Sequence, residues 1–331
     1  MWYQNALEQE PSDKRALRCL SMVIRKVPFQ NDKEKLEALE ESIQYAKKAV
    51  ALDLKDSESW YILGNAHLTC FFMGGQRYEN LDFALKAYTQ SEKRQVYQNP
   101  DLYFNRGTIC EYLENYREAI SDYDTAHNID PNLGARTKAR GIQEFVVNIC
   151  SLITKEKSQK STKLVGLVKS ISKSIGEVKF MKRKDEVEET KQETLEEQKE
   201  EQITQAPIKY SVGSLHDCKN GDNKGVIYIG KLVWPLKKEL DVPIWYLMID
   251  SNHEFSVLSL YNLNKNLDNL KYGDEIMIRD PNLTLNNIKY KKKILSYPCF
   301  KIMDVWSILV NKQPLSETVY NPELVIETFV R

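Results

Sequence analysis

The spacing of apolar residues changes partway along the chain. In the first half, apolar and small residues recur three and four positions apart, which is typical of amphipathic helices. Beyond Pro207 the apolar runs are short, rich in β-branched and aromatic residues, and separated by turn-forming Asp, Asn, Gly and Pro. The pattern predicts a helical first half, a β-rich second half and a charged segment between them.

The helical half carries a pattern that repeats with a period of about 34 residues. In its clearest copy, the positions for bulky, Gly, small, aromatic, small and Pro residues hold Tyr103, Gly107, Ala119, Tyr123, Ala126 and Pro131. The small residues let two antiparallel helices approach, the aromatic ring fills the space between them, and the proline ends the second helix. These are tetratricopeptide (TPR) positions, so we predict a TPR α-solenoid.

Weaker copies precede this one. The nearer copy has Trp60, Gly64, Ala84 and Tyr88 on the same grid, with extra residues around a predicted turn at 74–75. A less regular copy begins near Leu17, and the segment before it matches only the end of a repeat. A helix over about 135–154 is predicted to cap the array. We therefore expect residues 1–154 to form an N-terminally truncated TPR array, either a short form or one that has lost upstream repeats.

Residues 155–206 are predicted to be a basic segment followed by a charged linker. The first part is rich in Lys and Ser, with a short helix predicted near Leu164 and Leu167. From Lys182 to Gln202 Glu and Lys dominate, and almost no apolar residue occurs. Such a stretch buries too little surface to offset the entropy of ordering, so it is predicted to be disordered or a single helix.

Residues 207–331 are predicted to form a small β domain. Five strand-like runs separated by turn signals favour an OB-like β-barrel, with a five- or six-stranded sandwich as the alternative. Exposed aromatic residues of an OB fold can stack on nucleic-acid bases. The candidates are Trp234, Trp245, Tyr246, Phe255 and Tyr261. Their apolar surroundings favour core packing, and basic residues cluster only at 289–293.

Composition excludes several classes of function. The 331 residues carry 47 basic and 47 acidic side chains, so no net charge attracts the whole protein to nucleic acid. The six cysteines are far apart, which favours reduced thiols over disulfides or zinc sites. No phosphate-binding loop, nucleophile elbow or metal-ligand spacing occurs, so we expect no enzyme and no cofactor. No signal peptide or membrane-spanning run is present, which predicts a cytoplasmic and nuclear location without membrane contact.

The first helix of each repeat predicts a groove with separated charges. We predict a peptide-binding groove lined by Arg15, Arg18, Met22, Arg25, Tyr61, Asn65, Asp101, Asn105 and Glu111. The arginines form a basic end suited to carboxylates, and the carboxylates form an acidic end suited to a guanidinium or amine. A short peptide that carries both signs of charge fits such a groove. The alternative is that each charged side chain is simply solvated.

Three segments carry a more specific resemblance: WYILGN at 60–65, NPDLYFNRGT at 99–108 and YGDEIMIRDPNLTLN at 272–286. Through them the chain resembles the tetratricopeptide repeat protein 5 (Strap) family, a longer TPR array followed by an OB domain. The resemblance implies recognition of the N-terminal Met-Arg-Glu motif of nascent tubulin at the ribosome. Tubulin mRNA decay would follow through an mRNA decay adaptor and deadenylase machinery. A nuclear role with acetyltransferase coactivators in stress responses is also implied.

The resemblance further implies roles for individual residues. Arg25 and Asp101 would hold the tubulin peptide, whereas Ala135 stands where the family has an acidic residue. Ribosomal RNA would contact the Lys-rich segment at Lys160 and Lys163, and Lys157 belongs to the same basic patch. The alternative is a solvated linker helix.

A peptide-binding adaptor in tubulin autoregulation is therefore the leading hypothesis. A nuclear transcriptional coactivator scaffold is the first alternative, and it would fractionate with chromatin rather than polysomes. An OB-domain nucleic-acid binder is the second, and it would give a salt-dependent shift with an oligonucleotide.

Overall fold

Antiparallel helix pairs build the first half of the chain. The computed structural model describes residues 2–75, 77–159, 161–174, 180, 210–238, 243–263 and 270–315. The helices are α1 (Trp2–Gln9), α2 (Lys14–Ile24), α3 (Asp32–Leu52), α4 (Ser57–Met73), α5 (Glu79–Glu92), α6 (Pro100–Tyr112), α7 (Tyr116–Ile129) and α8 (Ala135–Gln159). Extensive contacts join α2 to α3, α4 to α5 and α6 to α7. The predicted helical repeats are therefore confirmed.

Local signals explain where some of these helices begin. Asp13 Oδ1 accepts hydrogen bonds from the backbone N–H groups of Arg15 and Ala16, at 2.8 and 3.1 Å. Asn99 accepts one from the first turn of α6, where Pro100 lacks an N–H of its own. Each cap satisfies N–H groups that have no acceptor within the helix. The starts of α2 and α6 thus follow from the residues that precede them.

A tyrosine seated on a glycine closes each of the two clearest repeats. A Cβ atom added at Gly64 would lie 2.5 Å from Tyr88 Cε1, and one added at Gly107 would lie 3.0 Å from Tyr123 Cδ1. Both tyrosines are fully buried. Because glycine leaves room for the ring, the glycine and the ring together set how closely the two helices approach.

The extra residues of the middle repeat lengthen a helix. Gly74 and Gly75 form the predicted turn, but α4 continues up to it as far as Met73. Phe71 and Phe72 on this extension are buried and meet the ring of Tyr112 edge-on, with ring centroids 5.2 and 5.8 Å apart. The expected insertion is therefore mostly helical, because its aromatic side chains have a partner on α6 to pack against.

A single sheet builds the β domain. Its strands are β1 (Ser211–Gly213), β2 (Gly221–Asp222), β3 (Val226–Leu236), β4 (Ile244–Asp250), β5 (Phe255–Leu260), β6 (Glu275–Arg279), β7 (Asn282–Tyr290), β8 (Lys293–Ile302), β9 (Ile308–Val310) and β10 (Gln313–Pro314). β3, β4 and β5 form an antiparallel meander. β3 also pairs antiparallel with β6, and β5 pairs in parallel with β8.

The sheet path has the connections of an OB fold. β7 pairs with β8 over its whole length, and only Asp280 and Pro281 separate β6 from β7. These two strands are therefore halves of one bent strand, which connects the β8 end of the path back to β3. The described strands form one sheet, so the OB-like fold is confirmed and the two-sheet sandwich is excluded.

Most of the candidate stacking aromatics lie in the interior of this domain. The buried ones are Trp245, Tyr246, Phe255 and Tyr261, whereas Trp234 remains half exposed. The central core includes Tyr228 and Phe300, whose ring centroids are 4.2 Å apart. Core packing is thus the role of these four side chains, as expected from their apolar surroundings.

The compact unit that holds the β domain begins earlier than residue 207. The chain divides between Gln143 and Glu144, within α8 rather than at the predicted boundary of 154. The ring of Phe145 lies 5.1 Å from that of Trp245, and Ser172 donates two hydrogen bonds to Glu275. A short helix, α9 (Thr162–Lys169), follows Phe145 and precedes Ser172 in the sequence, where a short helix was predicted. The linker predicted from Lys182 to Gln202 lies outside the described residues.

We expect Gly64→Ala to lower the free energy of unfolding by about 1–3 kcal/mol, because the new methyl group overlaps the ring of Tyr88. Gly141 provides a matched control, since it also lies within a helix but has no atom within 4 Å of an added Cβ. Gly141→Ala should raise the free energy of unfolding by about 0.5–1 kcal/mol. Urea unfolding of both variants checks this, and destabilisation of equal size in both would refute the proposed contact.

Candidate functional site

Asn65 lies at the centre of a polar network on the predicted groove side of α4. Its Oδ1 atom accepts hydrogen bonds from Tyr88 Oη at 2.7 Å and from Asn105 Nδ2 at 3.1 Å. Asn65 and Asn105 are buried. Because Tyr88 is the ring seated on Gly64, the packing of one repeat also orients the amides of two successive first helices.

Arg25 joins this network from the segment that follows α2. Its Nη1 atom donates to the carbonyl oxygen of Asn65 at 2.8 Å and to Thr69 Oγ1 at 2.7 Å, and its Nε atom donates to the carbonyl oxygen of Ser21 at 2.9 Å. Burial lowers the pKa of Arg25 to about 10, which leaves it positively charged at neutral pH. Within the described part of the chain, no carboxylate lies within ion-pair distance of this guanidinium.

The rest of the predicted basic end is largely paired. Arg18 is buried and bridges Asp56 and Glu58, each at 2.6 Å. Burial works against ionisation of Asp56, but Ser59, Arg18 and Lys14 outweigh it and hold the pKa of Asp56 below its ordinary value. Arg18 therefore ties the first pair of helices to the second. Its contact with a peptide stays a prediction.

Arg15 and Met22 flank this bridge in different environments. Arg15 is exposed. Met22 is partly buried and packs against the apolar cluster that includes Ile43 and Ile62. Of the predicted basic end, Arg15 is thus the side chain that faces solvent, and Met22 belongs mainly to the packing between repeats.

The predicted acidic end has one buried and one accessible carboxylate. Glu111 is 4% exposed and accepts a hydrogen bond from Tyr123 Oη at 2.8 Å, so it supports the tyrosine of the last repeat. Asp101 is partly exposed in the first turn of α6. Burial raises the pKa of Tyr61, hydrogen bonding to Asn65 lowers it, Asp101 raises it and Arg25 lowers it. The pKa of Tyr61 is thus affected by one residue from the predicted acidic end and one from the predicted basic end of the groove.

The structure therefore brings five of the predicted groove residues together. We call this set the Asn65 network; it comprises Arg25, Tyr61, Asn65, Asp101 and Asn105, with Tyr88 and Thr69 as supporting residues. Sequence reasoning placed Tyr88 in the packing between helices only. Its hydroxyl group was the available signal, since a buried tyrosine hydroxyl usually has a hydrogen-bond partner.

The described lysines of the predicted ribosome-contacting segment are engaged within the β unit. Lys157 Nζ pairs with Glu254 at 2.8 Å, and Lys163 Nζ lies 4.3 Å from the ring centroid of Tyr272. Lys160 lies outside the described residues. These contacts fix where two of the lysines stand, and their contact with RNA stays a prediction.

The described residues offer no metal site and no activated thiol. Within the described ranges, no group of three or more His, Cys, Asp or Glu side chains could hold a metal ion. The described cysteines are free thiols, and burial raises the pKa of Cys110 to about 12. Among the described helices, none is long and apolar enough to cross a membrane.

Comparison with solved structures gives only loose matches. The crystal structure titled "YrrB: a TPR protein with an unusual peptide-binding site" matches at 17% identity and a TM-score of 0.34, covering 47% of this chain and 74% of that one. The crystal structure of MamA matches at 22% identity and a TM-score of 0.32, covering 42% of this chain and 71% of that one.

Sequence comparison is more specific. Residues 209–323 match the family model described as the tetratricopeptide repeat protein 5 OB fold domain, and residues 100–133 match the tetratricopeptide repeat model. Tetratricopeptide repeat protein 5 of Homo sapiens is 30% identical over 306 residues, and that of Bos taurus 29% over 309 residues. Each alignment covers 91% of this chain but only 66% of the relative. The chain belongs to the tetratricopeptide repeat protein 5 family.

Proposed function

We propose that the chain recognises the N-terminal Met-Arg-Glu motif of nascent tubulin and promotes decay of the tubulin mRNA during translation. The Asn65 network would bind the peptide, and the lysines that follow α8 would contact the ribosome. The downstream partner would be an mRNA decay adaptor or the deadenylase machinery. These events belong to the cytoplasm, and the family resemblance adds a nuclear pool.

The partly buried charge of Arg25 is the observation that carries this proposal. A guanidinium partly removed from water is costly unless it is both hydrogen-bonded and paired with an opposite charge. Arg25 has only neutral acceptors among the described residues, and they use Nε and Nη1. Its Nη2 atom remains for a ligand. A peptide glutamate would supply the missing negative charge through a charge-assisted hydrogen bond.

Asp101 supplies the opposite charge within the same network. Asp101 raises the pKa of Tyr61 and Arg25 lowers it, so both charged groups act on the same aromatic side chain. A peptide with neighbouring Arg and Glu side chains can meet both. The hydrogen bond from Asn105 Nδ2 to Asn65 Oδ1 joins the first helices of the two repeats.

We expect Arg25→Met and Asp101→Asn each to weaken binding of a Met-Arg-Glu-Ile peptide at least tenfold, about 1.4 kcal/mol, because each removes one charged partner of the ligand. Fluorescence anisotropy measures the affinity. Replacing the peptide Glu by Gln should weaken binding to the unaltered protein but not to Arg25→Met, since the two changes remove the same interaction.

Exposed residues on the second helix of the last repeat provide matched controls. Arg117 and Asp124 lie on α7 and are exposed. Arg117→Met and Asp124→Asn repeat the same chemical changes outside the Asn65 network and should leave the affinity unchanged. Equal losses in the control and network variants, or no loss in either, would contradict the assignment.

The ion pair between Lys157 and Glu254 allows the ribosome contact to be separated from a structural role. Lys157→Glu should reduce co-sedimentation with ribosomes, because it removes a positive charge near RNA and leaves two carboxylates facing each other. Adding Glu254→Lys restores the ion pair with reversed polarity. If Lys157 contacts RNA, the double variant still sediments poorly; full recovery would show that only the ion pair matters.

A further inference from the structure

The hairpin of β7 and β8 extends beyond its neighbours in the sheet. β2 pairs with β7 only at Leu283 and Asn282, and β5 pairs with β8 only from Cys299 to Ile302. Between these points, residues 286–297 pair only with each other among the strands that the structure describes. We call this two-stranded segment the hairpin arm. Its length presents the far end of the hairpin away from the paired part of the sheet.

Four lysines occupy the end of the hairpin arm. They are Lys289, Lys291, Lys292 and Lys293, and all four are exposed. Across the part of the chain that the structure describes, none of the four forms an ion pair or a side-chain hydrogen bond, and Lys291 Nζ lies 5.2 Å from the ring centroid of Tyr290. Like charges repel one another, and no ion pair among the described residues offsets this repulsion at the four lysines.

The turn of the hairpin arm places two lysines at backbone angles that lysine seldom adopts. Lys291 and Lys292 have φ angles of 43° and 66°, the left-handed region in which Asn and Gly are preferred at both positions of such a turn. The turn between β9 and β10 has the same backbone geometry at Asn311 and Lys312. There Asn311 accepts from the Glu275 N–H and donates to Asp274. No comparable contact explains the two lysines of the arm.

We propose that the end of the hairpin arm binds the sugar–phosphate backbone of a nucleic acid. A lysine ammonium is a compact charge suited to phosphate oxygens, whereas bidentate recognition of carboxylates favours arginine. The arm end carries lysines without arginine, and Ile294 beside them is 77% exposed. This interaction would depend on charge and not on the aromatic side chains in the interior of the OB domain. The proposed nucleic-acid contact therefore lies at the end of the hairpin and not on the face of the sheet.

Lys292 in the hairpin arm and Lys312 in the turn between β9 and β10 both have positive φ angles. Comparing them separates the effect of a lost charge on binding from the effect of relieved backbone strain on stability. Lys292→Gly and Lys312→Gly each remove one charge and relieve one residue at positive φ, and both should raise the midpoint of thermal unfolding. Binding of the full chain to a labelled, unstructured 20-nucleotide RNA is measured by anisotropy over a range of salt concentrations. Lys292→Gly should weaken binding severalfold and make the slope of log K against log salt shallower by about 0.7, while Lys312→Gly should change neither.

The variant with both Lys291→Asn and Lys292→Gly should be still more stable and should make that slope shallower by about 1.4. A DNA oligonucleotide of the same sequence and a duplex RNA show which backbone is preferred. Binding that ignores salt, equal losses in Lys292→Gly and Lys312→Gly, or binding of a poly-glutamate peptide in place of every nucleic acid would overturn the proposal. Asp101→Asn should leave RNA binding unchanged, so the outcome does not depend on the peptide site.

Discussion

The absence of a side chain at Gly64 is the condition on which the repeat array and its candidate site depend. The missing Cβ lets the ring of Tyr88 sit between α4 and α5, and the hydroxyl of that ring then reaches Asn65. Asn65 in turn holds Asn105 on the next first helix. One packing contact thus sets the spacing within a repeat and the orientation of the amides across repeats.

Some charged side chains on the groove side hold the helices together, whereas Arg25 is left without a carboxylate partner among the described residues. Arg18 forms ion pairs with two carboxylates of the following repeat, and Glu111 accepts a hydrogen bond from the buried hydroxyl of Tyr123. Breaking the largely buried pair of Arg18 and Asp56 is costly because it leaves an uncompensated charge. Arg25 differs because its acceptors are neutral. The proposed recognition of a charged peptide therefore rests on fewer groups than the row of charged residues in the sequence indicates.

Features set within one repeat were predictable from the sequence, and features set between distant segments were not. The spacing of Gly107 and Tyr123 predicts their contact, because both lie at fixed positions of a helix pair. Arg18 meets Asp56 from 38 residues away, and Lys157 meets its carboxylate partner across 97 residues. These pairings depend on helix and strand placement that no local pattern contains. The packing of Phe145 on Trp245 was unpredictable for the same reason, since the two residues lie on a helix and a strand far apart in the sequence.

The most direct measurement is the peptide affinity of Tyr88→Phe, which keeps the ring on Gly64 and removes only the hydroxyl that orients Asn65. Tyr45→Phe is the control, because its hydroxyl bonds Glu41 on α3, outside the Asn65 network. We expect both variants to unfold within a few degrees of the unaltered protein. Tyr88→Phe should bind the Met-Arg-Glu-Ile peptide severalfold more weakly, and Tyr45→Phe should bind it normally. Full affinity in Tyr88→Phe would contradict the link between repeat packing and recognition.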